Sequence, residues 1–193
     1  MTAALLQPPS VAKPGSKTQW SNLSTVSAKA CALAHSAAQY EGSTLLIARN
    51  MSEAERLVDA LKVFAKELKN MPEVEIFSDW ETLPYDSFSP HQDIISNRMR
   101  CLYHLANSQR RFVVVSAQTL AQRLVPQSYI MSKSLVLETG QTLQREKFRE
   151  KLVFAGYNAV DTVYQHGEFA LRGALIDVFP MGSDAAYRIE LFD

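Results

Sequence analysis

Apolar residues in the first two thirds of the chain follow two different spacings. Three short runs are apolar at most positions, which is typical of strands buried in a parallel sheet: "TLLIA" (Thr44 to Ala48), "EVEIF" (Glu73 to Phe77) and "FVVVSA" (Phe112 to Ala117). Other stretches repeat apolar residues at helical spacing and begin near Leu23, near Ser52 and near Asp93. Short apolar strands that alternate with amphipathic helices predict an α/β domain built on a parallel sheet.

Local signals place the ends of these helices. Gly42 follows the first helical stretch and predicts its end. Ser52 and Glu55 form a capping-box pattern, which predicts the start of the second helix. The third helix is predicted over about 93–107, and "QTLAQRL" (118–124) predicts a short helix after the last apolar strand.

The pattern changes after residue 133. "SLVLETG" (134–140) predicts a strand and a turn, and "LQREKFREKLVFAGY" (143–157) predicts a helix that Gly156 ends. Further strands follow without helices between them, at about 159–165, 168–172, 174–179 and 186–192. This order of elements predicts a loose tail over 1–20, an α/β domain over 21–133 and a small α+β domain over 134–193. Because the chain stops within or just after a strand, we expect the second domain to be incomplete and the chain to be part of a longer protein.

Charge and cysteine content exclude several classes of protein. The 193 residues contain 20 basic and 20 acidic side chains, which argues against a dedicated nucleic-acid arm. The two cysteines, Cys31 and Cys101, are far apart in the sequence. We interpret them as free thiols in a reducing cytosol. No apolar run reaches the roughly 18 residues of a membrane helix, and no signal-peptide core is present. We therefore expect a cytoplasmic protein.

A nucleotide site in the α/β domain would need a phosphate-binding loop, GxxxxGK[ST]. The segment "PGSKT" (14–18) has the wrong spacing, and "NLSTVSAKA" (22–30), at the position of the loop, has no glycine. Asp177, at the end of "ALID", resembles a magnesium-binding aspartate, but without the loop we interpret it as a hairpin residue. The four histidines are dispersed along the chain. We therefore predict no catalytic, cofactor-binding or metal-binding residue, although 48–52, 78–90 and 116–119, at the carboxyl ends of strands, are where such a site would lie.

The irregular stretch "DWETLPYDSFSPHQD" (79–93) contains Trp80, Tyr85 and Phe88. Such aromatic side chains can stack on nucleic-acid bases. Acidic residues surround them and would repel phosphates, so we favour an ordered loop that its own aromatic side chains hold against the sheet.

Two arginines and one phenylalanine near the end of the chain allow two interpretations. In "AYRIELF", period-two alternation places Tyr187, Ile189 and Leu191 on one face of a strand and Arg188, Glu190 and Phe192 on the other. Arg172, in "EFALRG", lies on the Arg188 face if the two strands belong to one sheet. Arginine beside an exposed aromatic residue is typical of a protein-binding hot spot. Alternatively, the arginines pair with Glu168 and Glu190, and Phe192 covers a neighbour that is missing from this segment.

Several long motifs resemble the bacterial transcription-repair coupling factor family: "DWETLPYDSFSPHQDIISNRM", "VVVSAQTLAQRLVP" and "GEFALRGALIDVFPMGSDAAYRIELFD". The similarity covers roughly residues 20 to 193. "TLLIARNMSEAERL" and "GEFALRGALIDVFP" are more weakly similar to the excision-repair subunit UvrB.

The resemblance implies a degenerate P-loop (RecA-like) domain followed by a small domain that binds the damage-recognition ATPase UvrA. It implies that Arg172, Arg188 and Phe192 contact UvrA. The full-length family members are DNA translocases that use ATP and magnesium to displace stalled RNA polymerase, through domains beyond this segment.

This sequence departs from UvrB at two places. It has no phosphate loop before the first helix, and it lacks the long aromatic hairpin that UvrB inserts into damaged DNA. Neither ATP hydrolysis nor lesion verification is therefore expected of this segment. The alternatives are an active nucleotide-binding enzyme with an atypical phosphate loop and, third, a protein that binds DNA directly.

Overall fold

The computed structural model describes residues 12–13, 15–83 and 85–192. Most of the predicted tail, residues 1–11 and 14, lies outside the described residues. In chain order the elements are α1 (Val26–Gln39), β1 (Thr44–Ala48), α2 (Met51–Ala65), β2 (Glu73–Phe77), α3 (Gln92–Ala106), β3 (Arg111–Ser116), α4 (Ala117–Leu120), α5 (Gln127–Lys133), α6 (Arg145–Phe154), β4 (Asn158–Ala159), β5 (Glu168–Arg172), β6 (Leu175–Phe179) and β7 (Tyr187–Glu190).

The chain divides into two compact units that interleave in sequence. Among the described residues, the first contains those up to Asp79 together with 107–122. The second contains the described residues of 80–106 and of 123–192. The domain boundary predicted near residue 133 falls at the end of α5, within the second unit.

The first unit is a three-stranded parallel sheet in the order β1-β3-β2, with helices packed on one face. The predicted parallel α/β arrangement of these strands is confirmed. The register aligns Val74 with Phe112 and Leu46 with Val114, so alternate side chains of all three strands share one face. These side chains meet the small and branched residues of α1 and α2 in a single core, listed here by its fully buried members: Ala30, Ala34, Ala54, Leu61, Phe112 and Val114.

Several helix boundaries in the first unit differ from the prediction. Helix α1 begins at Val26 instead of near Leu23, and its C-cap is Tyr40, two residues before Gly42. Helix α2 begins at Met51, because the side chain of Asn50 accepts a hydrogen bond from the Glu53 backbone N–H at 2.9 Å. The predicted cap at Ser52 is therefore wrong, since Asn50 caps the helix two residues earlier and Ser52 lies within its first turn. Helix α4 ends at Leu120, short of the predicted residue 124.

The second unit is a four-stranded mixed sheet in the order β4-β5-β6-β7, with α6 packed on one face. Its core consists of buried side chains from α6 and from the inner side of the sheet: Phe148, Leu152, Phe169, Ile176 and Val178. Gly156 follows the cap residue Ala155 with φ of 94°, a backbone conformation that favours glycine. The predicted end of this helix at Gly156 is confirmed.

Two predicted strands of the second unit are absent or shortened. Within the described residues, 134–140 pairs with neither sheet. The strand predicted over 159–165 is limited to Asn158–Ala159. Beyond it the backbone N–H groups of Tyr164 and Gln165 both donate to the Glu168 carboxylate, at 2.8 and 2.9 Å. Those two bonds fold the chain into a turn, so the donors are not available for a strand ladder.

Helix α5 was not predicted, because its sequence "QSYIMSK" is too short to show a helical period. Pro126 precedes it at the cap position. Only Ile130 of this helix is buried. Proline is common near the start of helices because its missing N–H needs no partner there. Pro126 and Lys133, a basic residue in the last turn, are local signals for the helix.

Candidate protein-binding face of the second sheet

The register of the second sheet places Arg172 and Arg188 on the same face. Asp177 pairs with Ala170 on β5 and with Arg188 on β7, while Leu175 pairs with Arg172 and with Glu190. Directly opposed residues of an antiparallel pair project from the same side. The core residues Phe169, Ile176 and Val178 occupy the alternate positions. We call the side that carries Arg172, Leu175, Asp177, Arg188 and Glu190 the outer face.

Arg188 is held on this face by Asp177. Its Nε donates to Oδ1 of Asp177 at 2.6 Å and its Nη2 donates to Oδ2 at 2.9 Å. The hydrogen bonds from Arg188 are the main reason that the pKa of Asp177 lies below its ordinary value, and the charges of Arg188 and Arg172 act in the same direction. Asp177 therefore pairs with an arginine on the face predicted to bind a protein partner.

Arg172 is held by the chain that leads into β5. Its Nη2 donates to the main-chain carbonyl of Asp161 and to the Thr162 hydroxyl, the second at 3.0 Å. The interpretation in which the two arginines pair with Glu168 and Glu190 is wrong as regards hydrogen bonds. The Glu168 carboxylate instead accepts backbone donors, and Arg188 bonds to Asp177.

Phe192 is 87% exposed. The Leu191 N–H donates to the carbonyl of Ala174 at 2.9 Å, so the backbone is fixed up to the residue before Phe192. Tyr187, which alternation places on the face of Ile189 and Leu191, is exposed. It pairs with buried Val178, but among the described residues β7 is the last strand of the sheet, so its ring lies at the sheet edge. An exposed aromatic side chain thus stands at each end of β7.

The irregular stretch 79–93 is only partly anchored by its own aromatic side chains. The Trp80 ring lies 3.9 Å from the guanidinium carbon of Arg98, which is 1% exposed. Tyr85 and Phe88 are exposed, so the expectation that all three aromatic residues hold the loop is wrong. A local bond from the Leu83 N–H to the Asp86 carboxylate at 2.7 Å closes the turn without them.

The first unit has a cavity of about 690 Å³ at the carboxyl end of β1, one of the places where a site was expected. The Glu53 carboxylate at its wall accepts hydrogen bonds from the Arg49 N–H at 3.0 Å, from Arg49 Nε at 3.2 Å and from Lys29 Nζ at 3.5 Å. The side-chain and backbone bonds from Arg49 lower the pKa of Glu53 to about 2, against a desolvation effect of the opposite sign. The basic groups of this cavity are therefore paired with a carboxylate of the protein itself.

Two of the four histidines meet one carboxylate. His91 Nδ1 lies 3.4 Å from one oxygen of Asp93, and His166 Nε2 lies 3.5 Å from the other. His166 also stacks on Phe179, with ring centroids 4.0 Å apart. No local pattern predicts this grouping, since Asp93 and His166 are far apart in the chain. Among the described residues, no group of three or more potential ligands is arranged to hold a metal ion.

Comparisons with known proteins identify the second unit's sheet. Residues 135–193, which contain α6 and β4 to β7, match the model of the UvrB interaction domain family. The chain is 46% identical to the transcription-repair-coupling factor of Escherichia coli K12 over 173 residues, 89% of the chain. The resemblance to the transcription-repair coupling factors is confirmed.

Other relatives of the same name show the same coverage. The coupling factor of Haemophilus influenzae is 41% identical over 166 residues, and that of Staphylococcus aureus USA300 is 33% identical over 169 residues. Each alignment covers 86% of this chain. The aligned part is only 14 to 15% of the length of these relatives. In the described part of the chain, every helix is too short or too polar to cross a membrane.

Proposed function

We propose that this chain carries the UvrA-binding module of a transcription-repair coupling factor. The observation that carries the proposal is that the UvrB interaction domain match covers the whole second sheet. That sheet presents Arg172, Arg188 and exposed Phe192, the residues that the family resemblance relates to UvrA. Recruitment of UvrA to lesions at which RNA polymerase has stalled is the function that this module would serve.

The chemistry of the face suits a partner with acidic and apolar groups. Arginine and aromatic side chains are enriched among residues that dominate binding energy at protein interfaces. The guanidinium groups of Arg172 and Arg188 can donate to carboxylates, and Phe192 offers an apolar ring. Asp177 and Glu190 lie on the same face and keep it from being uniformly basic, which favours a specific partner over general attraction to phosphate.

Calorimetric titration of the chain with purified UvrA tests the proposal. Arg172→Ala, Arg188→Ala and Phe192→Ala should each weaken binding by about 2 kcal/mol or more, as hot-spot truncations do. Arg149→Ala on α6 is the matched control, since Arg149 is exposed in the same unit and α6 packs on the core side of the sheet. If the three site variants bind as tightly as this control, the site assignment is wrong.

We further propose that the first unit is a degenerate RecA-like domain that binds no nucleotide. Its support is the missing phosphate loop and the Glu53 carboxylate, which takes the hydrogen bonds of Lys29 and Arg49. An ATP titration of the chain separates this from the alternative of an active nucleotide-binding enzyme. We expect no saturable binding at micromolar concentrations; saturable binding supports the alternative.

For the whole coupling factor we propose an ATP- and magnesium-dependent DNA translocase that displaces stalled RNA polymerase in the cytoplasm. Its support is the relatives' shared name and the family resemblance of the motifs. ATPase and polymerase-displacement assays on the full-length protein test it. The chain alone should show neither activity.

A further inference from the structure

Asp177 occupies only one edge of the Arg188 guanidinium. The bonds run from Nε and Nη2, which form the side edge of this planar group. The other edge consists of Nη1 and the second proton of Nη2, and it points in a different direction. The Arg188 side chain is 56% exposed, against 20% for Asp177. One edge is therefore fixed within the chain, and the other edge carries donors for a second acceptor on a side chain that is more than half exposed.

Such an arrangement prepares an arginine for binding. A free arginine side chain loses rotamer freedom when a partner immobilises it, and that loss opposes association. Two hydrogen bonds to Asp177 restrict Arg188 before a partner arrives, and the planar fork then needs no further ordering. Arg172 is restricted by a different device, the carbonyl of Asp161 and the hydroxyl of Thr162.

We propose that Asp177 is a positioning residue for UvrA binding, which holds Arg188 so that its free edge receives a carboxylate of the partner. The inference rests on the function proposed above and extends it, because Asp177 makes no contact with the partner in this arrangement. The guanidinium would lie between two carboxylates, one from each protein. Shared bidentate bonding of this kind uses four of the five arginine donors.

The sign of the effect distinguishes positioning from simple charge. Replacing Asp177 by a neutral residue makes the outer face more positive, which by Coulomb attraction alone would strengthen binding to an acidic partner. Loss of the positioning of Arg188 would instead weaken binding. Glu190→Gln is the matched control, because Glu190 lies on the same face of β7 and its charge acts on Arg188 without a hydrogen bond to it.

The test is a double-mutant cycle in calorimetric titrations of the chain with purified UvrA. Asp177→Asn should weaken binding about tenfold, and Glu190→Gln should leave it unchanged or tighten it. In an Arg188→Ala background, Asp177→Asn should change the affinity less than about twofold, because a residue that acts through Arg188 has nothing left to act on. An Asp177→Glu variant, which keeps the carboxylate, should recover part of the loss.

A second measurement needs no partner. In the free chain, the Arg188 Nε–H should exchange with water more slowly than that of exposed Arg149, and Asp177→Asn should abolish the difference in NMR spectra. If Asp177→Asn binds UvrA as well as the unmodified chain while Arg188→Ala binds weakly, the positioning role is overturned and the proposed function stands. An equal loss from Asp177→Asn with and without Arg188 also overturns it. If the unmodified chain does not bind UvrA, both proposals fall.

Discussion

Arg110 closes the carboxyl end of α1 by donating from Nη2 to the main-chain carbonyl of Ala37 at 2.6 Å. The same nitrogen donates to the carbonyl of Tyr40, and Nη1 donates to the carbonyl of Asn70 at 2.7 Å. One guanidinium thus joins the end of a helix to the turn before β2. The last carbonyls of a helix lack partners within the helix, and a cation there also interacts favourably with the helix dipole.

Replacing Arg110 by alanine should therefore destabilise the first unit by about 2 to 3 kcal/mol, the scale of hydrogen bonds to charged groups. Native-state hydrogen exchange gives the measurement, because it separates the amides of β1 and β3 from those of β5 and β6. Arg123→Ala, at an exposed arginine, is the control and should change neither set. A loss spread equally over both sheets would contradict a role confined to the first unit.

The pKa of Glu53 makes part of the stability dependent on pH. The folded value is about 2 against 4.5 for the free side chain. A carboxyl whose pKa is lowered on folding stabilises the folded state above its unfolded pKa. The contribution should thus be complete above about pH 4.5 and disappear as the pH falls towards 2.

Glu53→Gln should lower the free energy of unfolding at pH 7 by about 1 to 3 kcal/mol and flatten its dependence on pH over that range. Urea unfolding at a series of pH values measures both effects. Glu55→Gln is the control, since Glu55 is an exposed glutamate on the same helix. An identical acid profile for Glu53→Gln and the unmodified chain would refute the assignment.

Phe169 and Phe192 should separate folding from binding. Phe169 is fully buried in the core of the second unit, so Phe169→Ala should cost about 3 to 5 kcal/mol of stability through lost burial and the cavity left behind. Phe192 is exposed, so Phe192→Ala should change stability by less than about 0.5 kcal/mol. Thermal unfolding beside UvrA titration measures the contrast. A large stability loss for Phe192→Ala would show that its ring belongs to the fold.

Lys133 links α5 to the end of α6. Its Nζ donates to the Phe154 carbonyl at 2.6 Å and lies 3.1 Å from the centre of the Phe154 ring. Lys133→Met should lose about 1 kcal/mol, since partly exposed cation–π contacts and charges at helix ends are each of that order. Lys133→Arg should retain most of it. Urea unfolding measures the stability of the two variants, and Lys151→Met, at an exposed lysine of α6, is the control. If Lys133→Met is as stable as the unmodified chain, Lys133 does not link the two helices.

Period-two alternation predicted part of the candidate site. The period of two in "AYRIELF" correctly separated Arg188 and Glu190 from Ile189 and Leu191, which pack towards the core. It could not reveal the bidentate pair of Arg188 with Asp177, because that pair depends on which residues of two strands stand opposite each other. Nor could it show that Tyr187 is exposed, since an edge position is a property of the whole sheet.

The sequence by itself determined the elements whose signals are local: the three apolar strands of the first sheet, the amphipathic helices between them and the helix end at Gly156. The period of apolar residues in such a segment follows from the local backbone geometry and from the burial of one face, so neighbouring residues are enough to predict the element. Only the tertiary structure decided the register that joins Asp177 to Arg188 and the grouping of α3 with the second unit. Those outcomes depend on contacts between residues distant in the chain, whose energies no local pattern contains.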